Sequence, residues 1–122
     1  MQFRLAFTVG DYEASRAFYG DVLGLRITNE WDNGVGDRGT IYQSLTDGCF
    51  ELFAPASGVV VADRGTDITV SIEVADPDAL YATFVGRGAP VVAAPQDQQW
   101  GHRNFTVRDP DGLRITFFAR LG

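Results

Sequence analysis

The chain has no lysine, a single cysteine (Cys49) and a single histidine (His102). Each scarcity closes a class of chemistry. Without lysine there is no Schiff-base nucleophile. One cysteine allows neither an internal disulfide nor a multi-cysteine metal cluster. One histidine cannot build a site that draws two imidazoles from one chain. All ten basic residues are arginine, and 16 acidic residues oppose them, giving a formal charge of −6 and a pI near 4.5. That balance argues against a nucleic-acid partner, whose phosphates need a basic surface. It favours neutral or cationic ligands. No apolar run approaches the roughly 18 residues of a membrane span. The opening stretch MQFRLAFTVGD has neither the apolar core nor the cleavage site of a signal peptide, so a cytoplasmic location is expected.

What remains is ordinary for a folded protein: 122 residues, 45% hydrophobic and 21% charged. One domain over residues 1–122 is expected. Phe3, Leu5, Phe7 and Val9 alternate with Arg4, Ala6 and Thr8, the period of a half-buried strand. Asp11 is placed to cap a helix carrying Ser15, Phe18, Tyr19, Val22 and Leu23, and Gly24 stops it. Strands are expected at Leu25–Trp31, Thr40–Leu45 and Cys49–Phe53, the last after the turn pair Asp47-Gly48. Gly34-Val35-Gly36-Asp37-Arg38-Gly39 spells a G-x-G-x-x-G, but a strand follows it rather than a helix. It reads as a hairpin loop and not as a dinucleotide cradle.

Residues 56–65 read as a linker, and then the plan repeats. Ile68 to Val74 alternate. Asp76-Pro77 begins a helix with Leu80, Tyr81, Phe84 and Val85 on its apolar stripe. Strands at Pro90–Ala94, Arg103–Arg108 and Leu113–Ala119 follow, the last two joined by Asp109-Pro110-Asp111-Gly112. A constant offset of 65 lays Val9 on Val74, Asp11 on Asp76, Ala14 on Ala79 and Tyr19 on Phe84. The expected class is α+β: two βαβββ modules, one over residues 1–55 and the other over 66–122, forming a paired, cup-shaped mixed sheet. The polar, aromatic-sprinkled strand faces (Tyr42, Phe53, His102 and Phe118 among them) would either line that cup or lie open to solvent.

Two stretches carry a resemblance. Asp11-Tyr12-Glu13-Ala14-Ser15-Arg16-Ala17-Phe18-Tyr19 runs on to Leu23-Gly24, and Trp100-Gly101-His102-Arg103-Asn104-Phe105 runs on to Asp109-Pro110-Asp111-Gly112. Together with the repeated layout they resemble the vicinal oxygen chelate superfamily, which includes glyoxalase I, extradiol dioxygenases and bleomycin-resistance proteins. The resemblance implies four inward positions that hold a divalent metal in the family's enzymes. They map to Arg4, Glu51, Thr69 and Thr116. Among these only Glu51 is a competent ligand, since a guanidinium has no lone pair to give and threonine hydroxyls bind transition metals poorly. No metal and no cofactor is therefore expected. A shifted site drawing on Asp67 or Glu73 is the alternative.

Arg4 and Glu51 are expected to face each other across neighbouring strands, as a plain ion pair or as a ligand anchor. Trp31 and Trp100 flank loops, where rings clamp flat ligands or cap the core. The expected ligand-binding set is Arg4, Trp31, Tyr42, Glu51, Phe53, Thr69, Trp100, His102, Thr116 and Phe118. Glu51 and His102 are the candidates for proton transfer. The expected function is metal-independent binding of a small molecule, aromatic or cationic, in the manner of a bleomycin-resistance protein. The expected assembly is a homodimer in which module one of one chain faces module two of the other. The alternative is a metal-free isomerase, hydrolase or cyclase acting on a small oxygenated substrate.

Overall fold

The computed structural model describes all residues from 1 to 122. It divides into two compact units, Met1–Asp63 and Arg64–Gly122. In unit one the alternating stretch becomes strand β1 (Arg4–Thr8). The Asp11 carboxylate accepts the Ala14 amide at 3.0 Å and starts helix α1 (Tyr12–Arg16). A single α-helix running to Leu23 was the expectation, and it needs correction. From Ala17 to Val22 the chain winds as a π-helix, and the Leu23 amide reaches back five residues to the Phe18 carbonyl at 2.9 Å. The wider turn lets the consecutive rings of Phe18 and Tyr19 both point inward, edge to face at 5.0 Å. Gly24 ends the segment at φ +68°, a left-handed position glycine takes without strain.

Strands β2 (Arg26–Asp32), β3 (Arg38–Gln43) and β4 (Cys49–Phe53) complete a sheet of order β1-β4-β3-β2, in which β1 runs parallel to β4. Its helix-covered face centres on Tyr19, which is fully buried among Phe7, Tyr42 and Phe50. Residues 54–68 form neither helix nor strand.

Unit two contains β5 (Thr69–Glu73), α2 (Pro77–Gly86), β6 (Val91–Asp97), β7 (His102–Arg108) and β8 (Arg114–Arg120), in sheet order β5-β8-β7-β6. Asp76 caps α2 by accepting the Ala79 amide at 3.1 Å, with Pro77 in the first turn. Phe84 packs on Phe105 and Phe117. The β7–β8 turn is held by the buried Asp109, whose carboxylate accepts the Asp111 and Leu113 amides, both at 2.9 Å.

The 65-residue offset holds at the level of single backbone bonds. Arg4 pairs with Cys49 and Thr69 with Arg114. The Val9 amide donates to the Phe53 carbonyl at 3.0 Å, and the Val74 amide donates to the Phe118 carbonyl at 2.8 Å. Each unit is thus a mixed four-stranded sheet with one face covered by its own helix and an opposite, open face on which Arg4, Thr69 and Glu73 are exposed while Ile41, Cys49 and Thr116 are buried.

Candidate functional site

The open face of unit one is set by ladder register. Arg4, Ala6 and Thr8 of β1 lie beside Cys49, Glu51 and Phe53 of β4, which in turn oppose Gln43, Ile41 and Gly39 of β3. Arg4 and Glu51 do pair: Nη1 of Arg4 lies 3.3 Å from Oε1 of Glu51. Arg4 Nε donates to Gln2 Oε1 at 2.8 Å, and Gln2 Nε2 donates to the Cys49 sulfur at 3.0 Å. The Cys49 thiol points on to Gln43 Oε1 at 3.7 Å. The result is a connected polar strip in which the guanidinium plane is held from two sides.

The other end of this face is aromatic. The Trp31 ring lies across Gly39 and meets the Phe53 ring edge to face at 6.0 Å. A Cβ at position 39 would come within 2.2 Å of the indole, so only glycine leaves room for it. Sequence reasoning missed Gly39. Its signal was a glycine just inside a strand, which often marks a close approach.

Tyr42 was expected on the open face and must be moved. It is opposite Phe50, so it points toward α1, stacked against Tyr19 and almost fully buried. Its hydroxyl donates to the Arg16 carbonyl at 3.3 Å, and burial pushes its pKa up to about 12. The aromatic cluster of Tyr19 and Phe50 claims the ring. Ile41 and Gln43 take the open-face places that Tyr42 was expected to fill.

On the helix side, a network missed from sequence surrounds Tyr12. The Tyr12 hydroxyl bonds Thr40 Oγ1 at 2.5 Å, Thr40 donates to Glu30 at 3.1 Å, and Arg16 pairs with Glu30 at 2.6 Å. The Glu30 hydrogen bond is the main reason the Arg16 pKa is raised. The Arg38 guanidinium sits 4.7 Å from the Tyr12 ring centre and pairs with Glu13 and Asp32. A cleft of about 380 Å³ lies beside it, lined by Asp11, Tyr12, Val35 and Arg38 among others. Its arginine is already compensated by carboxylates.

The open face of unit two carries Thr69, Glu73, Thr116, Phe118, His102 and Asn104, as their registers require. The His102 ring stacks on Phe118 at 4.3 Å and 11°. Thr106 and Thr116 bond each other through their hydroxyls at 2.7 Å, and Asn104 accepts from Gln98 at 3.0 Å. Glu73 pairs with Arg120 at 3.0 Å. Trp100 stands in the β6–β7 turn, 61% exposed. On the opposite face Arg103 clamps Asp78 of α2 at 2.7 and 2.9 Å and Asp97 at 3.0 Å. Its hydrogen bonds hold the Asp78 carboxyl below the usual carboxylate range.

The four positions at which the resemblance implies metal ligands do not suit a metal. In unit one a guanidinium already bonds the single carboxylate. In unit two Thr116 is bonded to another threonine, and Thr69 offers a lone hydroxyl. No group of three or more His, Cys, Asp or Glu side chains gathers within the chain.

Comparison with known proteins agrees with this architecture. An uncharacterized protein of Mycobacterium bovis is 44% identical over 48 residues, a match spanning 39% of this chain and 32% of the relative's length. Glyoxalase I from Zea mays, solved as a V278E mutant, superposes with a TM-score of 0.82 at 20% identity, covering 99% of this chain and 45% of that one. TnmS3, an antibiotic binding protein from Streptomyces sp. CB03234, gives 0.72 at 22% identity, covering 98% and 95%. An enzyme and a binding protein thus share this fold. The family model for the Glyoxalase/Bleomycin resistance protein/Dioxygenase superfamily matches residues 2–117. The chain belongs to that superfamily and has its two-module fold.

Proposed function

We propose that the chain is a metal-independent binding protein for a planar small molecule, held on the open sheet faces and released unchanged. The observation that carries this reading is the Arg4–Glu51 pair at positions where the family's enzymes place metal ligands. A guanidinium supplies positive charge but cannot acidify a bound water as a metal does. The Trp31–Phe53 shelf supports the reading, because half-buried rings beside a fixed polar group suit a flat ligand. So does the likeness to TnmS3, which is described as antibiotic binding. Within this reading the working form is a cytoplasmic homodimer, and Arg4, Glu51, Trp31, Phe53, Thr69, Thr116, His102, Phe118 and Trp100 are the contact residues.

The experiment is a thermal-shift and calorimetric screen against planar antibiotics and small keto acids, with mass analysis of the recovered ligand and sedimentation for assembly. Saturable binding with the ligand recovered intact supports the proposal. Ligand at about 100 times its dissociation constant adds about 2.7 kcal/mol of apparent stability. A second reading, a metal-free isomerase, hydrolase or cyclase, rests on His102, whose ring is stacked and oriented on an open face. Turnover abolished by Glu51→Gln or His102→Gln would establish it and overturn the first.

A further inference from the structure

Building on that binding reading, we propose that the open face of unit one selects planar aromatic molecules by an oxyanion, a carboxylate or phenolate, received on the free edge of Arg4. The ion pair is lopsided: the Arg4 side chain is 46% exposed and the Glu51 side chain 15%. What the pair presents outward is therefore its cation. Two of the three guanidinium nitrogens are committed, Nε to Gln2 and Nη1 to Glu51. Nη2 makes no bond within the chain. With the remaining Nη1 hydrogen it forms an edge matched to the two oxygens of a carboxylate. Gln2 and Glu51 fix the plane in advance, so an arriving anion need not order it.

The same face determines the body of the ligand. Phe53 lies two residues beyond Glu51 on β4, about 7 Å along the strand, and Trp31 meets Phe53 there over Gly39. That spacing fits a fused two-ring body with the acid at one end. The chain's net charge of −6 favours the opposite sign, but charges beyond about 8 Å are largely screened at physiological salt. The guanidinium in contact with the ligand decides the sign, which replaces the expectation of a cationic ligand.

The test uses three probes with one ring system, 2-naphthoate, 2-naphthamide and 2-naphthyltrimethylammonium, titrated calorimetrically into the full chain at pH 7. The expected result is that 2-naphthoate binds about tenfold or more tighter than the cation, the size of one charged hydrogen bond. Arg4→Gln should abolish that preference, and Trp31→Ala should weaken all three probes. Equal affinity for anion and cation, or indifference of 2-naphthoate to Arg4→Gln in a variant with an unchanged unfolding midpoint, overturns the proposal. Trp31-dependent binding of the amide or the cation alone overturns it and leaves the open-face reading standing. Failure of all three to bind overturns the proposal, and the broader binding reading then stands or falls on the screen of planar antibiotics and keto acids.

Discussion

At the scale of single residues, Gly39 is the most sharply constrained position on the candidate face. It has no positive φ to justify it, so its reason is steric: the Trp31 indole occupies the space where a side chain would begin. Gly39→Ala should push the ring off Phe53 and cost about 1–3 kcal/mol by overpacking. In a Trp100→Phe background, the shift of Trp31 emission and the urea midpoint read the two effects separately. Unmoved emission would place the indole elsewhere. The Arg4–Glu51 pair was legible through the family resemblance, which makes the first and fourth strands of a module neighbours; strand alternation then puts both residues on one face. Tyr42 was not, because a tyrosine has an apolar ring and a polar tip, and alternation does not say which will decide. Gly39 and Gln43 were missed because neither carries chemistry by itself. Their roles exist only once Trp31 and Cys49 are beside them.

At the scale of elements, boundaries from strand period and caps were sound to within a few residues, and β4 was placed at Cys49–Phe53. The π-helical turn was invisible, since Phe18, Tyr19, Val22 and Leu23 satisfy α-helical spacing as well. Tyr42 ties β3 to the end of α1, and its effect on stability depends on pH. Its folded pKa of about 12 stands above the ordinary 10.0, so the folded state favours the protonated phenol. That contribution is complete below about pH 10 and fades as pH rises toward 12. Tyr42→Phe should therefore lower stability by about 0.5–1.5 kcal/mol near neutrality, the worth of its hydrogen bond to Arg16. The gap to the native protein should narrow between pH 10 and 12. Urea unfolding at stepped pH measures it, and a gap that is constant with pH would contradict the assignment. The Arg103 clamp on Asp78 and Asp97 escaped sequence reading because it joins three elements that no local pattern connects.

At the scale of the whole molecule, no helix is long and apolar enough to cross a membrane. Two sheets built on one plan carry different side chains: an arginine and a carboxylate in the first, paired threonines and a stacked histidine in the second. If both faces work without a metal, dialysis against EDTA should leave the unfolding midpoint and the affinity for a bound ligand unchanged. A drop reversed by zinc, nickel, iron or manganese would refute the metal-free reading. The 65-residue repeat bears on how such a chain changes over time. It preserves the caps at Asp11 and Asp76 and the ladder bonds at Val9 and Val74, none of which depends on what the open faces carry. A tandem copy built this way separates architecture from chemistry, so one half can trade its surface for a new recognition task while its twin keeps the old.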